Sequence, residues 1–408
     1  GQDWIITQDT HVWDDEVNVK DIIVTIGKTL KLENVSLNSV GSIQIHGETE
    51  WLNSTIYHDK RDLEDNISLY SKLEIINTKL SMNATDSYNG NNANVFYVSK
   101  DAELIIRDFD NDFSTNGDRS IISGVNGHIT NIDNRNNYSI AIGHCVKAEC
   151  PGSELNPELW QKEGGIQIAN SYFENIFALR SYGINASIHN THFNNSGFVG
   201  MAGNTSQFTN NLITNSWNYW ELITTGTGIS ITNNTFVNGS VGVTVFGSEH
   251  AIIENNSFYN YTAPAWSNSV ALRTLDSHNL TIRNNFFRNI SNHAFELANT
   301  NDTVFSFNSF NNTGIEAHTG FVSSGFRNDI NNNTFMSTRN ESTSWFVSGI
   351  LFVRNDNVNY RGGEHNVADN SFYDYASAIR FASFQNNITI KNNHFEKGFH
   401  AIGLWTWP

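Results

Sequence analysis

Cysteine, methionine and proline are scarce in this 408-residue chain, at 2, 3 and 4 residues. Two cysteines allow one disulfide at most, and four prolines give no Pro-rich linker at which to divide the chain. Basic residues are also few, 24 against 41 acidic, for a formal charge of -17. A nucleic-acid site needs a basic patch to displace counterions from phosphates, and an anionic membrane surface asks for the same, so both partners are excluded. No stretch approaches the roughly 18 to 20 apolar residues of a membrane span. Charged residues are only 16% while aromatics are 12%, which is a core-forming composition and not that of a disordered polar chain. A sustained 3.6-residue apolar stripe is missing throughout, so helices are not expected.

What the chain has in excess is asparagine, 61 residues, or about one in seven. Much of it falls in one recurring phrase, Asn-Asn-x-Phe or a close variant. The phrase reads Asn233-Asn234-Thr235-Phe236, Asn255-Asn256-Ser257-Phe258, Asn284-Asn285-Phe286-Phe287, Phe307-Asn308-Ser309-Phe310, Asn332-Asn333-Thr334-Phe335, Asp369-Asn370-Ser371-Phe372 and Asn392-Asn393-His394-Phe395. Weaker copies end at Phe173, Phe193 and Ile213, and faint ones at Leu37, Ile56 and Leu80. The period lies in the low twenties, with longer steps where loops are inserted.

Short strands of alternating character flank each phrase, such as Ile229-Ser230-Ile231 before one and Gly242-Val243-Thr244-Val245-Phe246 after it. Strands of this length with polar corners at this period predict an all-β solenoid in which one period makes one coil. Asn at the corner tolerates a left-handed backbone, and equivalent amides of successive coils can hydrogen-bond along the axis, while the Phe fills the interior beneath. The phrases resemble the right-handed parallel β-helix superfamily of pectate-lyase-like proteins, and in particular the degenerate parallel β-helix repeats of archaeal and bacterial secreted cell-surface proteins. The resemblance implies a single-stranded right-handed parallel β-helix with loop insertions. On this reading, residues 1–408 form one elongated domain. It has divergent coils over 1–100, an inserted side loop over 144–165, and regular coils over 170–408.

Three features point to an extracellular, cell-surface setting. Cys145 and Cys150 stand five positions apart and are expected to close a small loop disulfide. Nineteen Asn-x-Ser/Thr sequons occur, with Asn34, Asn53, Asn83, Asn185, Asn204, Asn260, Asn289 and Asn340 as glycosylation candidates. The chain closes on Gly403-Leu404-Trp405-Thr406-Trp407-Pro408 without a recognisable cap, so either the natural chain continues or another subunit covers the end, as in an end-to-end homo-oligomer or filament.

In a coiled architecture a site is built from positions one period apart. Aligning the strand after each phrase puts Glu221, Thr244, Arg273, Glu296, Glu316, Leu351 and Arg380 in one outward column, with His318 two residues beyond. Arg273, Glu296, Glu316, His318 and Arg380 are therefore the candidate catalytic set for a polysaccharide-active enzyme, because adjacent carboxylates drive one pKa up and leave an acid beside a base. Against it stands an ordinary ladder of surface salt bridges. The lyases of the resembled superfamily use an acidic calcium site with a basic catalytic residue, and its polygalacturonase-like hydrolases use clustered aspartates; neither set is present in these coils.

Asp108, Asp110 and Asp112 form the one compact acidic run with oxygen-ligand spacing, a weak candidate for Ca2+; otherwise no cofactor is expected. Trp217, Tyr219, Trp220, Phe246, Trp266, Trp345, Trp405 and Trp407 exceed what a narrow core needs, so some should stack on sugar rings or another chain. The leading expectation is a non-enzymatic structural or adhesive surface solenoid. The alternative is a polysaccharide lyase, hydrolase or epimerase, or a carbohydrate-binding module, using an outward face.

Overall fold

A computed structural model describes residues 2–60, 65–84, 94–99, 101–108, 119–124, 141–143, 165–176, 178–182, 186–216, 221–261, 269–314, 318–337, 347–353, 362–382 and 387–404. The chain divides into two compact units, Gly1–Leu212 and Ile213–Pro408. Cys145, Cys150, Asp110, Asp112, Asn185, Glu316 and Asn340 lie outside the described residues, as does the expected side loop up to residue 164.

In both units the chain runs through three strands per coil, and each strand pairs in parallel with the strand three places on. In the first unit Ile43, Ile67 and Phe96 are register partners on a first face, Leu32, Trp51, Ile75 and Ile106 on a second, and Leu37, Ile56, Leu80 and Ile122 on a third. In the second unit the corresponding partners are Val243, Leu272 and Phe295, then Ile253, Ile282 and Phe305, then Phe258, Phe287 and Phe310. Every third strand sharing a sheet, with parallel pairing, is the topology of a parallel β-helix, and no helix occurs among the described residues. Only a coil can do this with connections as short as one or two residues, since parallel strands otherwise need long crossovers.

The recurring Phe forms a continuous interior stack. Phe236, Phe258, Phe287, Phe310, Phe335 and Phe372 lie 4.7–4.9 Å apart ring to ring, with planes within 8° of each other. That distance is the inter-strand spacing, so identical side chains in register stack without adjustment.

The paired asparagines divide the corner between them. The first of each pair takes the left-handed turn, with φ of 54–58° at Asn233, Asn255, Asn284, Asn332 and Asn392. The second is buried and donates Nδ2 to the Oδ1 of its counterpart one coil on, through Asn234, Asn256, Asn285, Asn308, Asn333, Asn370 and Asn393 at 2.9–3.0 Å. From Asn256 onward, the same Nδ2 also reaches a strand carbonyl, and each Oδ1 accepts the backbone N–H of the preceding coil's Asn, so a buried N–H at the turn is satisfied inside the coil. In the first unit hydroxyls replace these amides. Val35 N donates to Ser54 Oγ, Ser54 N to Thr78 Oγ1 and Thr78 N to Ser120 Oγ, at 3.0–3.3 Å. The early coils thus differ in sequence because Ser and Thr do the work of the interior Asn.

A second amide ladder follows the corner between the third and first faces, where Asn312, Asn289, Asn260 and Asn238 each donate to the preceding member at 3.0–3.3 Å. Asn34, Asn53, Asn260 and Asn289 are all corner residues with positive φ, as are ten of the 19 sequon asparagines, at 47–62°. Asn in the turn, one residue, then Ser or Thr opening the next strand is the coil's own grammar, and it generates sequons whether or not sugar is attached. Asn83 is buried with Nδ2 held by Asp59 Oδ1 at 2.9 Å, which closes it to a glycan in the folded chain, whereas Asn204 is exposed.

Candidate functional site

The first face of the Ile213–Pro408 unit carries the expected residues, in a register that differs from the sequence alignment. Its outward column runs Ile223, Thr244, Arg273, Glu296, Phe321, Leu351, Arg380, Gly403. Arg273 and Glu296 are therefore direct cross-strand neighbours, and the Arg273 Nε donates to Glu296 Oε2 at 2.6 Å with both side chains mostly buried. Arg380 lies three coils beyond Glu296. The coil after Glu296 places Phe321 in this column where the alignment had Glu316. The step from Glu296 to Phe321 is the 25 residues that separate Phe310 from Phe335, and a 20-residue step had been applied to it.

His318 opens its strand and belongs to a different column, Val270, His293, His318, Ser348, Ser377, His400. The His293 and His318 rings lie 6.0 Å apart and nearly parallel, and the His293 ring packs 5.2 Å from Phe321. His293 Nδ1 is 2.9 Å from the His318 carbonyl oxygen, which can only accept, so this nitrogen carries the proton. His318 Nδ1 is 2.7 Å from Ser348 Oγ. Burial pushes the His318 imidazole down to about 3, with the neighbouring His293 and Arg380 adding to the shift, and burial lowers His293 as well. Both rings are thus neutral near pH 7, offering hydrogen bonds and ring faces while the cations of the site are Arg273 and Arg380. Burial also lowers the Arg380 guanidinium. His293 was overlooked in the sequence, although it precedes His318 by the same 25-residue step.

Glu221 is a second departure. Ile223 occupies the outward place assigned to it, and Glu221 turns inward, 1% exposed. It accepts a hydrogen bond from the Tyr261 hydroxyl, and its Oε1 has no partner among the described residues. Burial raises the carboxyl to about 8, so it is protonated at neutral pH. Gly239 makes room for it, since a Cβ there would run into the carboxyl group.

Of the acidic run, Asp108 is buried and accepts from Asn170 Nδ2 at 3.0 Å, the pairing that Asn34 with Asp14 and Asn77 with Asn53 make at the same corner. Its carboxylate therefore serves the corner ladder. Of the aromatics singled out, Phe246 is half-buried and the rest lie outside the described residues. In the first unit an open concavity of about 350 Å3 is lined by His11, Trp13, Asp14, Glu33 and Asn34.

No known family pattern matches this chain, and no curated protein matches it. Among solved structures it is similar to the periplasmic alginate epimerase AlgG, at 9% identity over 93% of this chain and 76% of that one, with a TM-score of 0.38. It is similar to the A-module of the Azotobacter vinelandii mannuronan C-5 epimerase AlgE4, at 11% identity over 92% and 88% with a TM-score of 0.40. A third likeness is PfbA, a surface adhesin of Streptococcus pneumoniae, at 14% identity over 92% and 85% with a TM-score of 0.35.

Proposed function

We propose that this chain is an extracellular, cell-surface β-solenoid that engages carbohydrate through the first face of its Ile213–Pro408 unit. One observation carries the reading: Arg273, Glu296, His293, His318 and Arg380 stand in two neighbouring columns of one face, Arg380 buried and the others half-buried in the coil, and not splayed into solvent as surface charges usually are. Two guanidinium groups suit the carboxylates or sulfates of an acidic saccharide, the imidazoles suit its hydroxyls, and Phe321 offers a ring face. Glycosidic hydrolysis needs two carboxyl groups flanking the bond. Glu296 is the one carboxylate described on this part of the face, and Arg273 occupies it, which favours recognition over cleavage.

A second reading, a polysaccharide-active enzyme, is favoured by His318, a neutral imidazole on the same face as Arg380 that can hydrogen-bond a reacting hydroxyl. Incubation with acidic oligosaccharides, followed by calorimetry and by mass analysis of products, separates the two. Binding without turnover, lost in Arg273→Ala, supports the adhesive reading. Turnover lost in His318→Ala supports the enzyme, and no binding at all removes both. The cell-surface placement rests on the sequons and the Cys145/Cys150 pair, so mass analysis of the secreted protein that finds neither glycan nor disulfide would count against it.

A further inference from the structure

The third face of the Ile213–Pro408 unit presents a second set of outward aromatics, half-buried at Tyr259, Phe286 and Tyr373 and exposed at His394, unconnected with the Arg273–Glu296 pair. Its outward columns read Ser257, Phe286, Ser309, Thr334, Ser371, His394 and, beside them, Tyr259, Arg288, Asn311, Met336, Tyr373, Glu396. Aromatic pairs stand at both ends with matching geometry. Tyr259 and Phe286 lie 5.8 Å apart at 57°, and Tyr373 and His394 lie 5.8 Å apart at 56°. Between them stand Ser309, Asn311, Thr334, Met336 and Ser371, with Arg288 exposed on the strand of Phe286 and Glu396 exposed on the strand of His394. From Phe286 to His394 is four strand spacings, roughly 19 Å along the coil axis.

Phe307 adds an independent sign. It occupies the left-handed corner between the second and third faces, with φ of 56°, where the other described members of this unit's column, Asn233, Asn255, Asn284, Asn332, Asp369 and Asn392, are Asn or Asp. An aromatic residue is strained in that conformation. Its ring is 60% exposed, so burial does not compensate. It sits diagonal to Phe286, because Ser309, two residues on, is the register partner of Phe286. A strained residue that contributes nothing to the core is kept for what its side chain does outside.

We propose that the third face of this unit binds an oligosaccharide laid along the coil axis, with sugar rings stacked on Phe307, Phe286 and Tyr259 and their hydroxyls hydrogen-bonded to Ser309, Asn311, Thr334 and the exposed Arg288. Aromatic faces meet the apolar C–H faces of pyranose rings, and hydroxyl, amide and guanidinium groups beside them meet the ring hydroxyls. The proposal shares with the preceding one only the class of ligand; its face and residues are different.

The test is calorimetric titration of the full chain with cellotetraose, mannotetraose and chitotetraose. At least one is expected to bind. Phe307→Asn should weaken it roughly tenfold while restoring the usual corner residue, so its melting temperature should hold or rise and misfolding is not a confounder. Phe286→Ser should weaken it similarly, and Arg273→Ala should leave it unchanged. The proposal is overturned if none of these tetrasaccharides binds, if Phe307→Asn binds as the parent does, or if only acidic oligosaccharides bind and Arg273→Ala abolishes that. Capture of a protein in place of any sugar, with Phe307 required, would overturn it too.

Discussion

Replacing Asn308 by Ala tests how far the interior amide ladder supports the coil. The side chain is 1% exposed and makes four hydrogen bonds. Its Nδ2 donates to the Ile282 carbonyl at 3.1 Å and to Asn333 Oδ1 at 3.0 Å, and its Oδ1 accepts from Asn285 N and Asn285 Nδ2, each at 3.0 Å. Alanine removes all four and strands one buried backbone group, the Asn285 N–H, while the Ile282 carbonyl keeps its place in the strand ladder. At about 1 to 3 kcal/mol for the orphaned group, with part of the adjacent amides also unpaired, the loss should be on the order of 2 to 4 kcal/mol. Guanidinium unfolding measures the sum. Solenoid coils interact chiefly with their neighbours, so hydrogen exchange should show faster opening at the coils of Asn285, Asn308 and Asn333 before the rest. Asn260→Ala is the control, because that amide lies on the exposed ladder and its loss should cost only about 1 kcal/mol, mostly for Ala in a left-handed turn. If Asn308→Ala costs less than about 1 kcal/mol, or no more than Asn260→Ala, the buried ladder is not the support argued here.

Glu221 should make stability fall with rising pH. Its carboxyl is raised in the folded state, so the stabilisation is complete below the ordinary Glu range and is lost as pH climbs toward about 8. Between about pH 5 and pH 8 the loss should be on the order of 3 kcal/mol, and Glu221→Gln should flatten the slope; an equal slope in both proteins would assign it elsewhere. Gly320→Ala should destabilise by about 1 to 3 kcal/mol, since the new Cβ collides with the Phe295 ring packed over Gly320 inside the first face. A melting temperature unchanged by this substitution would mean that the interior is looser than the register indicates.

The coil and its period were legible because the residues that set them repeat at a fixed offset. Phe236 through Phe395 fall on one register column, and even the faint anchors Leu37, Ile56 and Leu80 are paired on the third face of the first unit. Two roles for the Asn pair were foreseen, the left-handed turn and the axial amide chain, but not their division between the first and second Asn. The site was harder to read because its residues do not repeat. Arg273 opposite Glu296 was placed correctly, as no loop is inserted between their strands and their 23-residue step equals that from Phe287 to Phe310. Past Gly314, whose φ of 65° closes a tight corner, the strand starts later, and the column passes to Phe321. His293 carried no motif, Glu221 was read as an outward residue, and Phe307 as one more variant of the repeat phrase. Each becomes visible only when the coil shows what shares its column, what buries it, or which backbone conformation it must hold.

A crystal structure of the chain with its tightest-binding acidic oligosaccharide tests the central claim most directly. The account predicts saccharide density on the first face of the Ile213–Pro408 unit, within hydrogen-bonding distance of Arg273, His318 or Arg380. Density confined to other surfaces, with that face empty at saturating ligand, would contradict it.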